Sequence, residues 1–218
     1  LITDVNVTVT WTKTDGSCSS QSSGNAFHAE TFMELRGPST ACSNTSLVDG
    51  DFSGGADIPT ITTTFDESSS NIVAGTPTST TYNPSGNLDN CIGGSPFGPW
   101  SLWIGDNVTT DPLCVSAYQV EVCACDQPTN PTAATASPNR VCSNDPGSIT
   151  LVATGGSGEE VHWFSGACAS SGPIAIALNG DPISIPSPTS TTTYFARWYS
   201  GGVCGYSSAC MPVTVVVD

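Results

Sequence analysis

The sequence predicts an all-β protein that consists of two β-sandwich domains. Short apolar runs recur with a period of two residues, which is the pattern of half-buried strands. Clusters of Gly, Pro, Asn, Asp and Ser separate these runs at intervals of about 8–12 residues, the turn spacing typical of β-sandwiches. No stretch of helix-forming residues is long enough to compete. A segment rich in Pro, Thr and Ala near the middle of the chain divides the sequence into two domains.

The first strand has the clearest alternation. Val5, Val7, Val9 and Trp11 alternate with Asn and Thr residues, so the four apolar side chains are expected on one face. Similar runs predict further strands over residues 32–35, 101–104, 115–122, 148–153, 161–164, 192–198 and 213–217.

The predicted domains are residues 1–126 and 140–218, joined by a linker over residues 127–139. The segment DQPTNPTAATASPN, which begins at Asp126, has no hydrophobic periodicity, as expected of an extended connection. Six cysteines precede it and four follow it, so each domain is expected to close its own disulfides.

The charge of the chain excludes two classes of partner. It has 19 acidic and 4 basic side chains and a formal net charge of −15, which disfavours nucleic acid and anionic membrane surfaces. No apolar run approaches the roughly 20 residues needed to span a bilayer. The chain begins at Leu1 rather than Met, without a basic and apolar leader, which predicts a mature exported protein.

The cysteine content favours the same compartment. Ten cysteines without a C-x-x-C pair indicate disulfides formed outside a reducing cytosol, and two histidines are too few to favour zinc. We therefore expect an extracellular or cell-surface protein.

The N-terminal half resembles the P domain of subtilisin-like proprotein convertases, a jelly-roll β-sandwich. The resemblance covers residues 2–123 and rests on these segments, in order: ITDVNVTVTWTKT, AETFMELRGPS, TTFDE, TTYNPSGNL, GPWSLWIGDN and YQVEV. Its most specific part is the run formed by Gly98, Trp100, Leu102 and Asp106. The chain departs from the family at residues 29–31, where Ala-Glu-Thr replaces the usual Gly-Asp-Leu, and at the segment DPLCVSAY. The catalytic domain of that family is absent from this sequence.

Residues 128–217 resemble the Ig-like repeats of large secreted bacterial surface proteins. The segments that carry this resemblance are RVCSNDPGSITLVATGG, VHWFSGAC, SPTSTTTYFARW and VTVVV. It implies that Trp163 is the core tryptophan of the sandwich and that Tyr194 is a tyrosine at the end of a sheet.

Three disulfides are predicted. The Ig-like resemblance implies that Cys204 pairs with Cys210 and that Cys142 pairs with Cys168. The six N-terminal cysteines allow 15 pairings. Among these we predict Cys18 with Cys42, because the two residues flank the second strand.

Calcium is the candidate cofactor, because hard divalent cations prefer oxygen ligands. Residues 1–126 hold 14 acidic and only 2 basic side chains. The first candidate site is the stretch DGDFSGGAD, with Asp49, Asp51 and Asp57, although such a stretch is also what a polar turn requires. The second candidate site contains three residues at positions that match acidic residues of the P-domain family: Glu30, Asp106 and Asp111.

No catalytic pattern is evident, and we expect no enzyme activity. The sequence has no G-x-S-x-G motif, and its two histidines, His28 and His162, are interpreted as structural. Paired carboxylates stay open as an alternative, because such pairs converge only in space.

Glycosylation is expected at several positions. The N-x-S/T sequons are at Asn6, Asn44 and Asn107, and Ser and Thr clusters at residues 62–64, 68–70 and 191–193 suit O-glycosylation.

Two functions follow from these features. In the first, the protein is a non-catalytic structural subunit of a bacterial surface filament or fibre, with copies of itself as partners. The strand patterns at the two ends, residues 2–11 and 213–217, favour this interpretation, because such strands can extend the sheet of a neighbour. The alternative, which the first strand favours, is that it pairs only within its own domain, and subunits then touch through domain faces and the linker. In the second, it is an accessory or adhesion module that binds glycans through exposed aromatic residues, with Trp100, Trp103 and Trp198 as candidates.

Overall fold

The structure is a computed structural model that describes residues 1–19, 24–108, 110–144, 147–169 and 171–218. The chain divides into two compact units, Leu1–Ala124 and Cys125–Asp218. The described part is almost entirely β, as predicted, and its helical residues form four short 3-10 turns: His28–Glu30, Thr40–Cys42, Leu88–Cys91 and Gly202–Cys204.

The first unit is a β-sandwich of two sheets. A four-stranded sheet has the order β5-β4-β1-β7, and a three-stranded sheet has the order β3-β2-β6. The strands are β1 (Ile2–Lys13), β2 (Thr31–Arg36), β3 (Thr45–Asp49), β4 (Ile61–Phe65), β5 (Thr81–Tyr82), β6 (Ser101–Asp106) and β7 (Leu113–Ala124).

The alternation of β1 produces the core of this unit. Val7, Val9 and Trp11 are fully buried and share one hydrophobic cluster with Met33 and Leu35 of the opposite sheet. The Trp11 indole N–H donates to the hydroxyl of Thr63, 3.0 Å away on β4, so its burial leaves no polar group unsatisfied. The predicted inward face of β1 is therefore confirmed.

The second unit is also a β-sandwich. One sheet has the order β13-β10-β8, and the other has the order β12-β11-β14-β15-β9. The strands are β8 (Ala133–Ser137), β9 (Arg140–Val141), β10 (Ser148–Thr154), β11 (Glu160–Ser165), β12 (Ala175–Leu178), β13 (Ile183–Pro186), β14 (Thr192–Tyr199) and β15 (Met211–Val217).

The segment predicted as a linker, residues 127–139, differs from that expectation. Ala133–Ser137 is strand β8, which pairs antiparallel with β10 from Ala133 opposite Thr154 to Ser137 opposite Thr150. The strand contains only Ala, Thr and Ser, which produce no hydrophobic period, so the sequence pattern misses it.

Strand β11 is buried on both faces. Val161 and Trp163 point into the sandwich core, and Trp163 is fully buried, in agreement with its predicted role. His162 lies on the other face, where its ring stacks on Tyr199 with centroids 4.7 Å apart and meets Tyr206 edge-on. Tyr206, in the segment after β14, thus packs against His162 and Tyr199 on the outer face of this sheet.

The structure contains four disulfides, and the three predicted pairings are wrong. The bonds are Cys18–Cys114, Cys42–Cys91, Cys125–Cys204 and Cys168–Cys210. Cys123 and Cys142 are exposed and form no disulfide.

The physical reason lies in contacts between segments that are distant in sequence. The chain after β1 folds back beside β7, which brings Cys18 to Cys114 rather than to Cys42. Cys42 and Cys91 each end a 3-10 turn, and the two turns are in contact. Cys204 and Cys210 do not close a hairpin with each other, because the segment between them folds back on β14, where Ser207 N donates to Trp198 O at 2.9 Å.

Candidate functional site

Lys13, the last residue of β1, lies among the three carboxylates that the sequence groups as one candidate calcium site. Its Nζ is 2.6 Å from Asp106 Oδ2, 3.5 Å from Glu30 Oε2 and 3.6 Å from Asp111 Oδ2. It also donates to the backbone carbonyl of Asp111, and its side chain is fully buried. The structure therefore brings the three carboxylates together, and the cation between them is an ammonium group of the chain itself.

Two carboxylates of this cluster have pKa values that are shifted in opposite directions. Burial raises the pKa of Asp111, but hydrogen bonds from the Phe27 backbone N–H and the Thr110 hydroxyl, together with Lys13, outweigh burial and lower that pKa below its ordinary value. For Glu30, burial and the nearby Asp111 outweigh the attraction of Lys13, and its pKa is raised. Glu30 therefore takes up a proton more readily than Asp111 does.

The other predicted calcium ligands are not assembled into a site. Asp51 accepts hydrogen bonds from the Ser85 hydroxyl at 2.5 Å and from the backbone N–H of Asp49. Asp57 accepts one from the backbone N–H of Asp15 at 2.9 Å. Within the described ranges, no group of three or more His, Cys, Asp or Glu side chains is arranged to hold a metal ion. The carboxylates of Asp51 and Asp57 thus bind donors of the protein itself, and calcium binding at this stretch stays a prediction.

Both histidines make contacts that favour a structural role. The ring nitrogens of buried His28 lie 3.2 Å from Ser53 O and 2.7 Å from Ala56 O, which fixes this turn against the core. His162 Nε2 is 2.8 Å from Glu160 Oε2, and its Nδ1 is 2.8 Å from the hydroxyl of Tyr206. Burial, with a smaller contribution from Tyr199, raises the pKa of Tyr206, so this hydroxyl stays protonated.

The sequons lie in different environments. Asn6 is partly buried on β1, and its Nδ2 donates to Asp4 Oδ2 at 2.9 Å. Asn44 and Asn107 are exposed, although Thr109, which completes the third sequon, lies outside the described residues. Glycosylation at these positions stays a prediction.

Trp103 is the exposed member of the three candidate aromatic residues. Its side chain is 46% exposed, whereas Trp100 packs against the first core and Trp198 lies in the second. Its ring lies over Gly105, where a Cβ atom would be 2.5 Å from the indole, so only glycine permits this position. The Arg36 guanidinium is 5.7 Å from the ring centroid.

Strand β12 is an edge strand with an exposed apolar face, which we call the β12 edge. It ends the five-stranded sheet and pairs only with β11 in the part of the chain that the structure describes. Ile174, Ile176 and Leu178 project outward and are 45%, 46% and 61% exposed, whereas Ala177 points into the core. The turn at Asn179 and Gly180, both with positive φ, ends the strand.

The sequence analysis did not predict two features: the exposed strand β12 and the burial of Lys13 among the carboxylates. The run PIAIAL contains the period of two, but it is short and lies between Gly-containing turns. Lys13 ends the alternating pattern of β1 at an inward position, and that register is the signal that could have placed a cation inside the first unit.

No helix within the described ranges is long and apolar enough to cross a membrane. No curated protein and no solved structure matches the chain significantly. Residues 128–218 match the family model described as an Ig-like domain, CHU_C associated. The second β-sandwich is therefore an Ig-like domain.

Proposed function

We propose that the protein is a non-catalytic extracellular structural subunit that assembles with copies of itself into a bacterial surface filament or fibre. The observation that carries this proposal is the β12 edge. An Ig-like domain and four disulfides support an extracellular structural or adhesion role. The resemblance of residues 2–123 to the P domain adds a second module of the kind found in secreted proteins.

The β12 edge offers unpaired backbone groups. Asn179 N donates to Glu159 O at 2.9 Å, and Ala177 lies opposite Val161 in the same register. Because hydrogen-bonded pairs alternate along an antiparallel ladder, Ala177 directs its backbone N–H towards β11, whereas Ile176 directs its own away from the sheet. A strand added from outside would satisfy these groups and cover Ile176.

The distribution of charge supports a second copy of the chain as the occupant. Copies with a net charge of −15 repel each other, so they can approach closely only where charge is absent. Residues 171–180, SGPIAIALNG, contain no charged side chain. Edge strands that must remain single are usually protected by Lys or by a bulge, and β12 has no charged residue to protect it. If the neighbouring copy contributes a different edge from its own β12 edge, the same contact repeats from copy to copy and builds a filament.

Sedimentation and electron microscopy of the purified protein test this proposal. The wild-type protein should form filaments, and Ile176→Lys should remain monomeric because it places a charge on the edge. Ile72→Lys is the matched control, since Ile72 is 72% exposed in the first unit. Wild-type protein that stays monomeric at high concentration, or an Ile176→Lys variant that assembles as well as the control, would contradict the proposal.

A second candidate function, glycan binding, is favoured by Trp103. An exposed indole beside a guanidinium and a carboxylate combines a stacking face with hydrogen-bonding groups, since Arg36 Nε is 2.5 Å from Glu34 Oε1. A glycan array tests this function. Trp103→Ala should abolish binding, whereas Tyr118→Ala, which removes another aromatic residue with 46% exposure, should not.

A further inference from the structure

The contact between Lys13 and Asp106 joins the two sheets of the first unit. Lys13 ends β1 in the four-stranded sheet, and Asp106 ends β6 in the three-stranded sheet. Lys13 Nζ and Asp106 Oδ2 are 2.6 Å apart, and the lysine side chain is inaccessible to solvent. A buried primary amine and a carboxyl group that is 18% exposed are thus held in contact.

We propose that Lys13 and Asp106 condense into an intramolecular amide bond that cross-links the two sheets of the first β-sandwich. This inference is independent of the proposed assembly, because it concerns a single chain.

Proximity and burial both favour this condensation. Groups held in contact react as if present at an effective concentration of about 10⁵–10⁸ M. A buried ion pair retains a large desolvation penalty, whereas an amide carries no net charge. The condensation leaves the net charge of the cluster unchanged, because it consumes one carboxylate together with the ammonium group.

Glu30 is placed to move the proton. Its Oε2 is 3.5 Å from Lys13 Nζ, and its raised pKa suits a group that accepts a proton and returns it. Asp111 is not suited to this role, because its lowered pKa makes its carboxylate a weaker base that holds a proton poorly.

The step balances without an oxidant or another reactant. A proton passes from the Lys13 ammonium to Asp106, with which it is in contact, and leaves a neutral amine and a neutral carboxyl group. The amine attacks Cγ of Asp106 and forms the N–C bond. Glu30 takes one proton from the attacking nitrogen and returns it to the leaving hydroxyl as the C–O bond breaks, so one water molecule leaves and one hydrogen remains on the amide nitrogen. An ammonium and a carboxylate are consumed, and one amide and one water are produced.

The intact mass of the reduced, denatured wild-type protein, made in a host that adds no glycans, tests the inference. The expected mass is lower than that of the sequence by one water molecule. Tandem mass spectrometry should locate the loss in a branched peptide that contains Lys13 and Asp106. Lys13→Arg and Asp106→Ala should both have the full mass, and Glu30→Gln should increase the fraction without a cross-link.

A wild-type mass equal to that of the sequence would overturn the inference, and so would a water loss that persists in Lys13→Arg. Because the decisive measurement uses the wild-type protein, a variant that fails to fold does not weaken it.

Discussion

The Cys42–Cys91 disulfide is expected to contribute more to the stability of the first unit than its other disulfide, Cys18–Cys114. Both cysteines are fully inaccessible to solvent and belong to the hydrophobic core. They are 49 residues apart in sequence. The perturbation is the double substitution Cys42→Ala/Cys91→Ala, compared with Cys18→Ala/Cys114→Ala, which removes the other disulfide of this unit.

Two terms determine the cost of each double substitution. Chain entropy gives about 4 kcal/mol for a separation of 49 residues, and about 4.7 kcal/mol for the 96 residues between Cys18 and Cys114. Loss of two buried sulfur atoms adds roughly 1–2 kcal/mol for Cys42 and Cys91. Cys18 is exposed, so this second term is small for its bond. The totals are about 5–6 and about 4.7 kcal/mol.

Differential scanning calorimetry of the full chain, without reductant, measures this difference. At roughly 3–5 °C per kcal/mol, the transition of the first unit should fall by about 15–30 °C in Cys42→Ala/Cys91→Ala. The transition of the second unit should not change. A larger shift for Cys18→Ala/Cys114→Ala would refute the reasoning, because chain entropy alone would then determine the order.

Two further predictions concern the charges of the first unit. Lys13→Met removes the buried contact between the two sheets, whether that contact is the ion pair or the proposed amide, and leaves the carboxylates of this cluster without a partner, so it should lower the free energy of unfolding by at least about 3 kcal/mol. Arg36→Met, which removes an exposed pair, should change it by less than about 1 kcal/mol in urea denaturation. Burial raises the pKa of Glu67 above 4.5, so its stabilising contribution is present below pH 4.5 and is lost as the pH rises through the raised pKa. Urea denaturation should therefore show that Glu67→Gln becomes more stable relative to the wild type as the pH rises, and a constant difference would contradict this sign.

Local patterns predicted the fold well, because they are properties of single strands. Val5, Val7, Val9 and Trp11 face the core as the period of two requires. The strand over residues 133–137 was missed, because its Ala, Thr and Ser side chains do not alternate between apolar and polar.

The candidate sites were harder to predict, because they depend on which segments meet. The sequence analysis predicted that Glu30, Asp106 and Asp111 lie together, and the structure brings them together. It did not predict that Lys13 lies between them, because residues 1–126 contain so few basic side chains that no partner was assigned to the carboxylates. The disulfides failed for the same reason. Sequence spacing paired Cys18 with Cys42, whereas the fold places Cys18 beside Cys114 on β7.

Amide hydrogen exchange at β12, before and after assembly, tests the central proposal most directly. In the monomer, the backbone N–H of Ala177 points towards β11 and is protected from exchange, whereas that of Ile176 points away from the sheet and exchanges fast. Assembly through the β12 edge predicts that exchange at Ile176 slows strongly, while exchange at Ala177 changes little. Filaments in which the Ile176 amide exchanges as fast as in the monomer would contradict the account.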